Sequence, residues 1–268
     1  MKAAVLHHFG SIPRYEDFPD PTPEKDEILV QVKAVALEHI DKAMAKGTHY
    51  ASRQFLPKLP AIVGSDGIAM RDDGQLVGFG GLRPPYGAMA EKAVFPKAYH
   101  VPIPNGVDAA TAATVPASVL TSLFPLKWGA KLQPDETVLI NGATGFAGKL
   151  AIQVILDFVW GHPTELLLEA LVPRELSIAQ HRVRLVQIGE MAGPTISLAA
   201  EALRTSGLEI LGAGSSLAPE AIAEGTQQVW EWIKAGKLQA DIEQVPLRDV
   251  ESAWKRTDVH GKRIVIVS

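Results

Sequence analysis

A glycine-rich segment between two apolar runs carries the clearest chemical signal in the chain. Residues 137–140 have the composition of a strand, residues 141–148 read Asn-Gly-Ala-Thr-Gly-Phe-Ala-Gly, and residues 149–154 have helical spacing. Glycines at a strand-to-helix turn let the backbone approach a diphosphate, whose charge is favoured by the amide groups and dipole of the helix N-terminus. A tight turn that binds nothing is the alternative interpretation. The flanking strand and helix favour a dinucleotide-phosphate loop.

The composition excludes several classes of protein. Hydrophobic residues make up 47% and charged residues 21% of the 268 positions, so a disordered chain is excluded. The 26 Lys and Arg residues against 30 Asp and Glu residues give a net charge of −4, which excludes a broad basic surface for nucleic acid or anionic membranes.

The residue inventory also bears on location and metal binding. The chain has no cysteine, which excludes disulfides, a thiolate nucleophile and cysteine-liganded zinc, and we expect a cytoplasmic protein without a targeting segment. The apolar stretch 150–160 spans about half of the roughly 20 residues that a membrane helix needs. The eight histidines are scattered, and the adjacent His7 and His8 would point to opposite faces of a strand, so we predict no metal site.

The pattern of apolar residues divides the chain into two kinds of structure. The first 105 residues contain short alternating runs separated by Gly, Pro and Asp, which predicts a small barrel or sandwich. From residue 108 helices alternate with short apolar strands, as in a parallel α/β sheet. The predicted strands are 2–6, 27–35, 61–63, 75–79, 88–95, 99–101, 137–140, 184–188, 208–211, 242–245 and 263–267, and the predicted helices are 38–46, 108–113, 117–127, 146 onward, 163–171, 198–204, 219–235 and 250–255.

Three segments in this order resemble a known superfamily. They are the turn Gly64-Ser-Asp-Gly67, the run Ala-Ala-Thr-Val-Pro-Ala-Ser-Val-Leu-Thr-Ser at 112–122, and the glycine segment at 138–148. The chain is similar to the zinc-free quinone oxidoreductase (zeta-crystallin-like) branch of the medium-chain dehydrogenase/reductase superfamily, almost from end to end. The resemblance implies an α/β protein with a GroES-like β-rich catalytic domain (1–119 and 242–268) and a shortened Rossmann-like nucleotide-binding domain (120–241).

The resemblance also implies an activity. It points to hydride transfer from NADPH to a quinone or an α,β-unsaturated carbonyl in a cleft between the domains, by a homodimer whose strand 208–211 pairs with its two-fold mate. Zinc-dependent relatives have a Cys near the position of Glu38 and a His-Glu pair near Ser65 and Asp66. Because these ligands are absent here, we expect catalysis without a metal.

The site residues follow from the same resemblance, each with a structural alternative. Asp41 and Tyr50 would polarise the carbonyl oxygen. The alternatives, which the sequence supports equally, are that Asp41 is a carboxylate on the protein surface and that Tyr50 is an aromatic residue at the rim of the cleft. Asp66 is favoured as a turn-capping residue, and Thr121 has helix packing as its alternative. The cofactor-binding positions that the resemblance implies are Thr121, Gly142, Ala143, Thr144, Gly145, Phe146, Ala147, Gly148, Val159, Trp160, Gly161, Gly189, Gly212 and Ala213.

One segment departs from the family pattern. Residues 148–161 read GKLAIQVILDFVWG, with no turn signal where a dinucleotide fold needs a loop, a second strand and a residue that touches the ribose. About 60 residues, two βα units at roughly 30 residues each, are missing after Val154. An internal deletion, a sequence that omits residues of the natural chain, and a natural member without the adenosine-binding half are the explanations, and we favour a deletion. Weak or lost NADPH binding is therefore expected, and a cofactor-free binding or dimerisation module is the rival function.

Overall fold

The computed structural model describes residues 1–116, 120–132, 158–170, 183–205, 208–216 and 219–268. The chain forms two compact units, one of residues 1–116 with 233–268 and one of residues 117–232. The domain limits expected from the sequence lie close to this division and stay a prediction.

Both units combine helices with strands, as the sequence predicts. The strands are β1 (Lys2–Leu6), β2 (Arg14–Asp17), β3 (Glu27–Ala36), β4 (Ala61–Ile62), β5 (Gly67–Met70), β6 (Leu76–Phe79), β7 (Lys92–Pro96), β8 (His100–Pro102), β9 (Val183–Gln187), β10 (Leu208–Gly212), β11 (Ile242–Pro246) and β12 (Arg263–Val267). The helices are α1 (His39–Lys46), α2 (Ser52–Phe55), α3 (Ala109–Ala113), α4 (Leu120–Phe124) with a π turn at Pro125–Ala130, α5 (Gly161–Ala170), α6 (Ala200–Thr205), α7 (Pro219–Lys234) and α8 (Val250–Lys255).

The first unit is built on a seven-stranded sheet and a three-stranded sheet. The larger sheet has the order β11-β12-β3-β5-β6-β8, with β7 also paired to β3, and the smaller has the order β2-β1-β4. In β3 the side chains of Val30, Val32 and Ala34 are buried while Gln31 is exposed, which confirms the predicted alternation. Because β3 is central and its C-terminal end leads into α1, the sheet fixes the start of that helix.

The second unit contains a parallel pair of strands. β9 and β10 run in register from Val183 opposite Leu208 to Gln187 opposite Gly212. Leu185 and Leu208 are buried together with Leu168 of α5. Because β9 and β10 are parallel, their carboxyl ends lie at the same edge of the sheet, which is where open α/β sheets bind their ligands.

Several elements differ from the sequence predictions. β2 and β5 were not predicted, because β2 is a polar edge strand and β5 is short and begins with a glycine. Within the segment 148–161, which departs from the family pattern, residues 158–160 have no regular secondary structure, and 148–157 lie outside the described residues. The predicted strand 137–140 and the helix from 146 also lie outside them.

Candidate active site

The first polar feature of the site is at the start of α1. The N–H group of Glu38 donates a hydrogen bond to Oδ2 of Asp41 at 2.9 Å, and the reciprocal contact completes a capping box. Asp41 is only 6% exposed. This burial excludes the alternative of a surface carboxylate, because the helix turns Asp41 towards the interior of the unit.

A turn between β4 and β5 supplies the second feature. Gly64 has a φ of 97°, and a Cβ there would lie 3.1 Å from the Met89 backbone and side chain, so glycine is required. The next residue, Ser65, donates its hydroxyl hydrogen to Oδ2 of Asp66 at 2.9 Å. The turn therefore holds a hydroxyl and a carboxyl group in contact.

Arg263 is the cation of this region. Its Nη1 donates to the Leu37 carbonyl oxygen at 3.2 Å, and its Nε lies 3.8 Å from Oε1 of Glu38. The sequence analysis did not identify it as a site residue, because Arg263 is far from Glu38 along the chain and only the pairing of β12 with β3 brings them together. The available signal was a charged residue opening the apolar strand Arg-Ile-Val-Ile-Val.

Arg263 thus pairs with Glu38, whose charge also acts on Asp41 and Asp66, and we call Glu38, Asp41 and Asp66 the acidic cluster. Burial, reinforced by the charge of Glu38, raises the pKa of Asp41 well above its usual range. Burial and Glu38 also raise the pKa of Asp66 to about 6, against the opposing hydrogen bond from Ser65. Asp66 therefore exchanges a proton near pH 6, and burial favours the protonated form of Asp41.

A small cavity of about 40 Å³ adjoins these groups. Asp41, Ser65 and Tyr86 are its polar lining residues, among apolar neighbours that include Met44 and Leu56. A water needs about 10–15 Å³, so the cavity admits a group of the size of a carbonyl. A protonated carboxyl group and a hydroxyl in an apolar enclosure can polarise such an oxygen.

The raised pKa of Asp66 predicts how stability depends on pH. The native state binds the proton more tightly than the unfolded chain, so this stabilisation is present below about pH 4 and is lost as pH rises through about 6. The shift corresponds to about 2–3 kcal/mol in the free energy of unfolding. Asp66→Asn is therefore expected to flatten the curve between pH 4.5 and 7.5 in urea unfolding. The exposed Asp72→Asn serves as the control, and an equal pH dependence in both variants would contradict the assignment.

Tyr50 is placed differently from Asp41. Its side chain is 96% exposed, and its ring lies 4.3 Å from that of His49. Tyr50 does not line the cavity beside Asp41. Its function as a hydrogen-bond donor to a carbonyl stays a prediction.

The second unit gathers several predicted cofactor-binding residues at the carboxyl edge of its parallel strands. Gly212 ends β10, Ala213 follows it, and Gly189 lies just beyond β9. The Ala192 N–H donates to the Val159 carbonyl oxygen at 2.8 Å, which brings the segment containing Val159 to the loop after β9. These residues, distant in sequence, therefore form one surface region.

Close backbone packing explains the glycines in this region. A Cβ at Gly189 would lie 2.6 Å from the Phe158 carbonyl oxygen, and one at Gly161 would lie 2.8 Å from the Ala192 backbone. Gly212, in contrast, faces open space. Trp160 has a φ of 54°, a conformation that large side chains rarely adopt and that concentrates at functional sites.

Thr121 and the glycine segment are the remaining residues predicted to bind the cofactor. Thr121 lies on α4 and is partly buried. Outside the described residues lie Gly142, Ala143, Thr144, Gly145, Phe146, Ala147 and Gly148. Their phosphate-binding function stays a prediction.

The described part of the chain lacks both a metal-ligand cluster and a membrane-spanning helix. It contains no group of three or more His, Cys, Asp or Glu side chains arranged to hold a metal ion. Within the same residues, no helix is both long and apolar enough to cross a membrane. Catalysis without a metal stays a prediction.

Comparisons with known proteins find several relatives named quinone oxidoreductase. The quinone oxidoreductase of Pseudomonas aeruginosa is 29% identical over 149 residues, which is 52% of this chain and 44% of that protein. The chloroplast envelope quinone oxidoreductase homolog of Arabidopsis thaliana is 32% identical over 157 residues, 51% of this chain and 45% of that protein. The chain thus matches less than half the length of these relatives. No protein-family model matches it.

Solved structures show the fold. The quinone oxidoreductase from Thermus thermophilus, solved alone and in complex with NADPH, aligns with a TM-score of 0.76 at 23% identity and covers 100% of both chains. The quinone oxidoreductase of Pseudomonas syringae aligns with the same score at 21% identity, over 100% of this chain and 99% of that one. The fold class, GroES-like plus Rossmann-like, and the resemblance to the quinone oxidoreductase branch are confirmed.

Proposed function

We propose that the chain is an oxidoreductase of the quinone oxidoreductase type, which uses NADPH to reduce a small-molecule quinone or α,β-unsaturated carbonyl. The observation that carries this proposal is the buried Asp41, whose pKa burial raises, beside Ser65 at a cavity of carbonyl size. The relatives named quinone oxidoreductase support the reaction class. We also propose that the enzyme is metal-independent and cytoplasmic, in keeping with its cysteine-free sequence.

The described residues fit a dinucleotide in part. The carboxyl edge at Gly189, Gly212 and Ala213 is where a parallel sheet binds such a ligand, and Gly212 leaves open space there. The ribose contact is expected about 20 residues beyond the glycine loop. That place in the chain is occupied by α5, where Leu168 is buried in the core. Among the described residues, the adenosine half therefore has no partner at this usual place.

The chain's own residues account for the handling of the proton. NADPH, when bound, supplies the hydride. Asp41, whose protonated form burial favours, donates a hydrogen bond to the carbonyl oxygen as negative charge develops there. Ser65 lines the same cavity and donates a hydrogen bond to Asp66. Asp66, with a pKa of about 6, takes up a proton from solvent to replace the one that Asp41 gives to the substrate.

Asp41→Asn tests this proposal. The amide still accepts from the Glu38 N–H but cannot supply a proton, so we expect kcat to fall about 100-fold with little change in KM. The assay follows NADPH absorbance with a benzoquinone at millimolar cofactor, and a chelator is expected to leave the wild-type rate unchanged. Asp72→Asn is the matched control. Full activity of Asp41→Asn would refute the function of Asp41, and an inactive wild type would favour the cofactor-free module.

A homodimer is part of the proposal. In the described residues β10 pairs with β9 on one side only, and an uncovered strand edge promotes association unless it is paired. We therefore expect twice the chain mass in light scattering at micromolar concentration. A monomeric mass would contradict the pairing of β10 with its two-fold mate.

A further inference from the structure

A surface hollow in the first unit lies apart from the acidic cluster and its cavity. It has a volume of about 450 Å³, within the range of small-molecule sites. The loop between β1 and β2 forms one wall and α8 forms the other. Its lining residues, which we call the basic hollow, are His7, His8, Ser11, Ile12, Arg14, Glu251 and Lys255.

Two cations in the basic hollow lack the partners that the other arginines of this unit have. Arg71, Arg83, Arg248, Arg256 and Arg263 each form an ion pair, and Arg53 lies 5.7 Å from the centre of the Phe9 ring. Among the described residues, neither Arg14 nor Lys255 has a side-chain hydrogen bond or ion pair. Single unpaired surface cations are common, but these two line one hollow with two imidazoles and a hydroxyl.

The wall that carries these groups is fixed by its own contacts. The Gly10 N–H donates to the Ala45 carbonyl oxygen at 2.9 Å, and the Ser11 N–H and hydroxyl both donate to the His8 carbonyl oxygen. Nε2 of His7 lies 2.7 Å from Oε1 of Glu16. A preorganised wall reduces the entropy that a ligand loses on binding.

The polar groups select a chemical class of ligand. The guanidinium of Arg14 can bind two oxygens of one anion, and Lys255 adds a second positive charge. The single carboxylate of the hollow, Glu251, has Oε1 at 3.4 Å from the Tyr15 N–H, so it retains capacity to accept from a hydroxyl. A phosphate group has enough oxygens to bind Arg14 and Lys255 together. A hydroxyl on the same ligand would donate a hydrogen bond to Glu251.

We propose that the basic hollow binds the phosphate group of a small, hydroxyl-bearing phosphomonoester. The two cations neutralise the phosphate, and Glu251 accepts from the ligand hydroxyl. Free phosphate would also bind the two cations but has no hydroxyl-bearing carbon chain for Glu251. A comparison of inorganic phosphate with a phosphomonoester therefore distinguishes the two ligands. The residues involved are distinct from those proposed for the reduction and for NADPH.

Calorimetric titration of the full chain with inorganic phosphate and with glycerol 3-phosphate tests the proposal. We expect saturable binding of both, tighter for glycerol 3-phosphate, and a loss of about tenfold in affinity in Arg14→Ala and in Lys255→Ala. Glu251→Ala is expected to remove the preference for glycerol 3-phosphate. Lys58→Ala removes an exposed lysine of the same unit outside the hollow and is the control.

The outcomes are separable. Equal affinity for the two probes in the wild type, with the loss in Arg14→Ala retained, assigns the hollow to free phosphate. Absence of saturable binding, or unchanged affinity in both cation variants, overturns the proposal, because any remaining phosphate would then bind elsewhere. Circular dichroism spectra that match the wild type show that a lost affinity does not reflect unfolding.

Discussion

Titration of the chain with NADPH is expected to give a dissociation constant in the millimolar range or weaker. The residues about 20 positions beyond Gly148 lie in α5, where Leu168 is buried, and not at the end of a second strand. The groups that would contact the ribose and its 2′-phosphate are therefore absent from their usual place. Loss of two charge-assisted hydrogen bonds, about 1.5–3 kcal/mol each, weakens binding by about 3–6 kcal/mol. At tenfold per about 1.4 kcal/mol this is a factor of about 10² to 10⁴, so a site of about 10 μM becomes millimolar or weaker.

The measurement is a fluorescence titration run in parallel with NADPH and NADH. Since no group is expected at the 2′-phosphate, the two dissociation constants should agree within about threefold, or about 0.7 kcal/mol. A micromolar constant for NADPH with weak NADH binding would contradict the prediction. It would mean that other residues recognise the phosphate or that the missing units exist in the natural chain.

Arg263→Met is expected to lower the free energy of unfolding by about 3–5 kcal/mol at pH 7.5. The side chain is 9% exposed and lies beside Glu38, so its removal leaves buried negative charge without a counterion. The loss should be smaller at pH 5, because Asp66, whose pKa is raised to about 6, is mostly neutral there and adds less negative charge beside Glu38.

Urea unfolding at both pH values measures this difference. Arg263→Lys retains the charge but loses the forked donor geometry towards Glu38 and the Leu37 carbonyl, so we expect it to be destabilised by less than Arg263→Met. A loss below about 1 kcal/mol for Arg263→Met would show that solvent already screens the acidic cluster.

Local patterns in the sequence determined most elements of the fold. The alternation in β3 and the apolar runs of β1, β10 and β12 match the structure within one residue or fully, because burial of one face depends on nearby side chains. The sequence missed β2, whose four residues are polar and which is a strand only because β1 pairs with it. Edge strands of this kind depend on their partner more than on their own composition.

The candidate site depends more on tertiary structure than the strands and helices do. The sequence by itself identified the glycine segment and the absence of zinc ligands, since each is a local pattern. Asp41 was a candidate through the family resemblance, and Asp66 was favoured as a turn-capping residue. Only the tertiary structure brought Arg263 to Glu38, because the pairing of β12 with β3 brings the end of the chain to the start of α1. The raised pKa of Asp41 was likewise decided by folding, since burial and the neighbouring negative charge of Glu38 oppose its ionisation.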